Sequence, residues 1–153
     1  MNIIFLDVDG VLNSTNKLKE VYNKTNKPHS GFDYPFDEKC LENLKLLVKL
    51  TDSKLVITSS WRKSEQGKKS LLNMLEKYDL KKDVIGFTPI LYKKRGKEIE
   101  EYLSTLSCKP NFIILDDNTD MGDLLPYLIK TNNQFGLTKE NIKKGMIKLL
   151  KIK

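Results

Sequence analysis

The 153-residue chain has one histidine and two cysteines, and both scarcities narrow its chemistry. His29 falls in a polar stretch and reads as a surface residue, so a histidine-based mechanism has no support. Cys40 and Cys108 are far apart and form no C-x-x-C pair, which disfavours zinc and thioredoxin-type sites and suits a reducing compartment. No G-x-S-x-G surrounds Ser59 and Ser60, so a serine hydrolase is disfavoured. No apolar run approaches the length of a bilayer span. The opening MNIIFLDVD lacks the basic region and small-residue cleavage site of a secretory signal, and a cytoplasmic location is the expectation. Internal repeats, low-complexity tracts and interdomain linkers are also absent.

What is present describes one globular domain over residues 1–153, with 39% hydrophobic and 31% charged residues. The formal charge of +7 favours anionic substrates or a polyanion, although the same lysines also read as ordinary solvated surface.

The chain is organised around NIIFLDVDGVLN, residues 2–13. Ile3, Ile4, Phe5 and Leu6 read as a buried strand that ends at Asp7, Asp9 and Gly10. While the strand persists, alternation points Asp7 and Asp9 the same way, and two close carboxylates repel. A hard cation such as Mg²⁺ relieves that repulsion and attracts phosphate. A calcium-binding EF-hand loop starting at Asp7 fails, because its sixth and twelfth positions hold Leu12 and Leu18. A plain turn, with the aspartates as caps and Gly10 at positive φ, is the competing reading.

Residues 14–35 are polar, with a short apolar pattern at Leu18, Val21 and Tyr22, and predict a small flap or loop. Asp37 caps a helix to about Thr51, and Lys54 to Ile57 form a second strand that runs into Thr58, Ser59, Ser60, Trp61 and Arg62. A helix over Ser64 to Tyr78, a strand over Val84 to Phe87, and a helix after the basic cluster Lys93 to Lys97 follow. The strand Ile113 to Leu115 stops at Asp116 and Asp117; a short strand near Asn133 to Phe135 and a helix opened by Thr138 complete the chain. This alternation predicts a Rossmann-like, doubly wound parallel sheet, whose ligands gather beyond the carboxyl ends of the strands. Asp7 with Asp9, Thr58 with Ser59, and Asp116 with Asp117 all fall at such ends.

On these residues the chain resembles the haloacid dehalogenase (HAD) superfamily of phosphatases. FLDVDGVLN, TSSWR, RGKEI and ILDDNTDM followed by GLT are similar to the HAD domain of Swiss Army knife RNA repair proteins. The resemblance implies a Mg²⁺-dependent phosphohydrolase with a minimal cap and an aspartyl-phosphate intermediate. Asp7 would be the nucleophile and Asp9 the general acid and base. Asp7, the backbone carbonyl of Asp9, Asp116 and Asp117 would hold the metal, with Asp117 the preferred direct ligand of the last two. Thr58 would hold a phosphate oxygen and Arg95 or Lys97 would supply the cation; lysine is usual in that role, so Arg95 would be a departure. Ser59, Arg62 and Gly10 are candidate substrate contacts. Capping explains Ser59 equally well, and an ion pair explains Arg62. Trp61 reads as core rather than as a base-stacking platform. The expected partner is a phosphorylated substrate, with RNA or DNA ends as one class. A small-molecule or nucleotide phosphatase and a non-catalytic nucleic-acid-binding module are the rival readings.

Overall fold

The structure, a computed structural model, describes residues 1–29 and 31–151. Ser30 of the predicted flap and the last two residues of the predicted domain lie outside the described residues. Five strands form one parallel sheet: β1 (Asn2–Leu6), β2 (Ser53–Ile57), β3 (Val84–Phe87), β4 (Asn111–Asp116) and β5 (Leu128–Lys130), in the order β3-β2-β1-β4-β5. Five α-helices connect and cover them: α1 (Thr15–Thr25), α2 (Glu38–Thr51), α3 (Glu65–Lys77), α4 (Arg95–Ser104) and α5 (Lys139–Leu150). The fold is the predicted doubly wound α/β layer structure.

Both faces of β1 are apolar because both are covered. Ile4 and Leu6 pack with Leu44 and Leu47 of α2, Leu71 and Leu75 of α3 and Ile142 of α5. Ile3 and Phe5 face the opposite layer, with Ile99 of α4, Met121 and Leu124. Phe5 makes edge contacts with Tyr102 and Phe112 there. Local chemistry starts the helices: Asp37 Oδ1 accepts from Lys39 N at α2, and Thr138 with Asn141 forms a capping box at α5.

Register sets the geometry of the carboxyl edge. Leu6 stands opposite Ile57 on one side and Leu115 on the other, so three strands finish level. Asp7 N donates to Leu115 O at 3.0 Å and Thr58 N donates to Leu6 O at 2.9 Å, which carries the alignment one residue further. Asp7, Thr58 and Asp116 thereby become neighbours.

Two expected elements differ. The polar segment predicted as a flap or loop contains α1, whose Leu18, Val21 and Tyr22 have helical spacing and whose Ser14 Oγ accepts from Lys17 N at 3.1 Å. None of its residues is buried. The last strand is Leu128–Lys130, not residues 133–135; the latter lie in a turn closed by the Asn132–Gly136 bridge. A three-residue edge strand after Pro126 carries too little periodicity to be read. Among the described residues no helix is long and apolar enough to cross a membrane.

Candidate active site

β1 ends at Leu6, so Asp7 and Asp9 do not share a strand face as alternation predicts. The chain turns instead, with Val11 N and Leu12 N donating to Val8 O at 3.0 and 2.8 Å. Asp7 is buried while Asp9 is exposed, yet both line one small acidic cavity of about 210 Å³ with Ser60, Arg95, Asp116 and Asp117. Gly10 has φ +78°, and a Cβ on it would collide with the Asp117 carboxylate. The absence of a side chain there lets Asp117 close over the turn. Gly10 thus shapes the site through its backbone.

Carboxylate oxygens of Asp7, Asp116 and Asp117 lie within 4.8 Å of one another. Burial, opposed by Arg95, holds the Asp7 carboxyl above its ordinary value. Burial and then the Asp7 charge push Asp116 up to about 8, again against Arg95. Arg95 is the counter-ion: its Nη1 lies 2.9 Å from Asp7 Oδ1 and 2.7 Å from Asp116 Oδ2. Burial alone would weaken its charge, but the two carboxylates raise its pKa overall.

Asp120 sets the position of Arg95. Its Oδ2 accepts from Arg95 N at 3.3 Å and its carbonyl accepts from Gly96 N at 3.2 Å, so it caps α4. A Cβ on Gly96 would collide with the Met121 carbonyl, so α4 begins flush against the loop that follows β4. Helix geometry turns Lys97 about 200° away from Arg95. Its Nζ is exposed and paired with Glu100 at 2.8 Å, so the structure does not place Lys97 in the site.

Thr58 is fully buried, and its Oγ1 has no hydrogen-bond partner among the described residues. Thr58 does not itself line the cavity, and the unpaired hydroxyl next to the Asp7 turn is what singles it out. Ser59 does not line the cavity; its Oγ accepts from Trp61 N at 3.2 Å and caps the 3-10 turn Ser60–Lys63. Ser60 lines the cavity instead.

Arg62 is likewise not a substrate contact in this structure. Its guanidinium donates to the carbonyls of Thr58, Ser59, Thr88 and Pro89 at 2.7–3.0 Å, and Nη2 lies 2.9 Å from Glu98 Oε1. Burial lowers its pKa, against the stabilising charge of Glu98. Arg62 therefore ties the ends of β2 and β3 to α4.

Sequence reasoning missed the support of Asp9. Asn13 Nδ2 donates to Asp9 Oδ1 at 2.8 Å while Asn13 Oδ1 accepts from Gly10 N at 2.8 Å. Trp61 Nε1 donates to both Asp9 oxygens, at 3.3 and 3.2 Å. A D-x-D-G followed by asparagine three places on was a readable signal for the first contact; the second joins residues 52 apart. A second cavity, about 480 Å³, meets the acidic one at Asp9, Ser60 and Asp117. Another cavity, about 900 Å³ between α1 and α2, contains none of the acidic site.

A parallel sheet with convergent acids and a cation at its carboxyl edge is the arrangement of a HAD domain. The family model described as the HAD domain in Swiss Army Knife RNA repair proteins matches residues 3–142, and the chain belongs to that family. Among solved structures, the HAD domain of effector protein Lem4 from Legionella pneumophila superposes with a TM-score of 0.59 at 18% identity. The alignment covers 99% of this chain and 97% of that one, and it is a likeness of fold. No curated protein matches the chain in sequence.

Proposed function

We propose that this HAD-type hydrolase is a Mg²⁺-dependent phosphomonoesterase that acts through phospho-Asp7 on phosphorylated nucleic-acid ends. The observation that carries the reading is the convergence of Asp7, Asp116 and Asp117 within 4.8 Å, beside Arg95. The donor set fits the metal: carboxylate oxygens alone, without imidazole or thiolate, suit a small hard cation. The Asp7, Asp116 and Asp117 side chains would hold it, together with the Asp9 backbone carbonyl. Asp116 already bonds Arg95 and Asn118 N, which leaves Asp117 the preferred direct ligand of the pair. Bound there, Mg²⁺ supplies positive charge that lets a carboxylate approach a phosphate dianion.

The chain's own residues do the rest. The Asp7 carboxylate attacks phosphorus, the ester P–O bond breaks, and Asp9 gives its proton to the departing alkoxide. Asp9, now ionised, takes a proton from water as that water attacks the aspartyl phosphate, releasing inorganic phosphate and restoring Asp7. Thr58 Oγ1 donates to an equatorial phosphate oxygen, and Arg95 balances the charge that accumulates on the phosphoryl group.

Nucleic-acid ends are favoured by the family's name, by the +7 charge and by the short segment between Ser14 and Pro35, which leaves the site open to a chain end. The test is a phosphatase panel of sugar phosphates, mononucleotides and 5′- or 3′-phosphorylated RNA and DNA at low and high salt. An oligonucleotide end should outperform its mononucleotide at low salt, and the advantage should shrink as salt rises. A sugar phosphate or mononucleotide that wins at both salts overturns the nucleic-acid reading, and no phosphate release from any substrate overturns hydrolysis itself.

A further inference from the structure

The second cavity lies on the Asp9 side of the acidic one, where the proton donor meets the departing group. At about 480 Å³ it falls within the range of small-molecule sites, roughly 300–1,000 Å³. Its walls carry three aromatic side chains, Phe32, Tyr34 and Trp61. Phe32 and Tyr34 are partly buried against the core, and Phe32 is braced edge-on against Trp61 with ring centroids 5.0 Å apart. Such rings are held in place before any ligand arrives, which reduces the entropy lost on binding. At the rim stands the exposed Asn133, whose carbonyl accepts from Thr15 N at 2.9 Å; its side-chain amide offers both a donor and an acceptor.

Charge separates this cavity from the rest of the surface. The chain has 27 lysines and arginines, and none of the described ones lines it, whereas Asp9 and Asp117 do. A second phosphate group would meet the Asp9 carboxylate there with no lysine or arginine on the described walls to offset it. The walls thus disfavour an anion, while the ring faces and the rim amide suit an occupant that is flat on at least one face and able to pair with an amide.

Resting on the hydrolase reading above, we propose that this cavity is the leaving-group subsite and takes the terminal nucleoside of the phosphorylated substrate. The base lies against Tyr34 and Phe32 with its edge at Asn133. The remaining strand and its phosphates stay outside.

The chain's one tryptophan lines the cavity, so occupancy is readable without turnover. Adenosine, ribose and phenol are titrated into the full chain in EDTA while Trp61 emission is followed, with excitation at the red edge of its absorption. Adenosine should saturate at concentrations about tenfold or more below either of the others, and Tyr34→Ala should weaken it by about tenfold, the usual scale for one base–aromatic contact. Asn133→Ala, at an exposed position whose bond to Thr15 uses the backbone carbonyl, should weaken adenosine severalfold. Tyr92→Ala, at a tyrosine outside the cavity, should bind as the parent does. Ribose matching adenosine, or adenosine unaffected by both Tyr34→Ala and Asn133→Ala, overturns the subsite. Phenol matching adenosine reassigns it to any aromatic ring and overturns the nucleoside. Adenosine binding with no phosphate release from any substrate leaves the subsite standing and removes the hydrolase. Hydrolysis of oligonucleotide ends with no adenosine binding does the reverse.

Discussion

The indole Nε1 of Trp61 donates to both carboxylate oxygens of Asp9, at 3.3 and 3.2 Å. An indole N–H can donate but never accept, so this contact fixes the orientation of the Asp9 carboxylate. Trp61→Phe keeps a ring to pack on Phe32 and Phe36 and removes only the donor. Its kcat/KM, which reports only the first half-reaction, should fall about tenfold on an alkyl phosphate and about twofold or less on an aryl phosphate with a good leaving group, because only the former needs a well-placed acid. Equal losses of kcat/KM on a graded series of leaving groups would show that Trp61 supports the fold rather than the proton transfer.

Asp7→Asn should abolish turnover while leaving the circular dichroism spectrum unchanged, since the amide keeps the shape and loses the nucleophile and a metal ligand. EDTA should silence the parent protein and Mg²⁺ should restore it better than Ca²⁺, whose larger coordination shell displaces the nucleophile. Phosphate release at the parental rate from Asp7→Asn is incompatible with a phospho-Asp7 intermediate.

Arg95 and Lys97 should separate cleanly. Arg95→Ala leaves Asp7 and Asp116 without their counter-ion and should lower kcat/KM by about a hundredfold or more, on the scale of losing one charge-stabilising donor. Lys97→Ala removes an exposed pair with Glu100 and should change kcat/KM on an aryl phosphate by less than about twofold. A large Lys97 effect would return the cation role to lysine.

The Arg62–Glu98 pair makes a stability prediction. Both side chains are almost fully buried, and Glu98 Oε2 also accepts from Leu91 N at 2.8 Å. Glu98→Ala strands the guanidinium charge and should destabilise the protein by about 3–5 kcal/mol in urea denaturation. A change near zero would mean that the four backbone carbonyls satisfy the guanidinium without Glu98.

The sequence disclosed the parts of the site that register aligns. Asp7, Thr58 and Asp116 each sit at or just past the level end of an apolar run, and a run ending in an acid or hydroxyl is visible in the letters. Arg62 was ambiguous because an arginine near a strand end looks alike whether its donors meet a phosphate or four backbone carbonyls. Arg95 and Lys97 were indistinguishable until α4 was known to begin at Arg95, which fixes where each points on the helix. Helix α1 has helical spacing but no buried residue, so its apolar pattern is too weak to separate helix from loop. The Trp61 contact with Asp9 depends on the 3-10 turn capped by Ser59, a tertiary detail with no periodic signature.

Gly96 leaves no gap between the start of α4 and the Met121 carbonyl, while Asp120 ties the same turn to the loop after β4. Arg95 and Asp116 are consequently held together as one block with the loop after β4. Such a block cannot serve as a door. Phe32 and Tyr34 stand outside that block, on the stretch between α1 and α2.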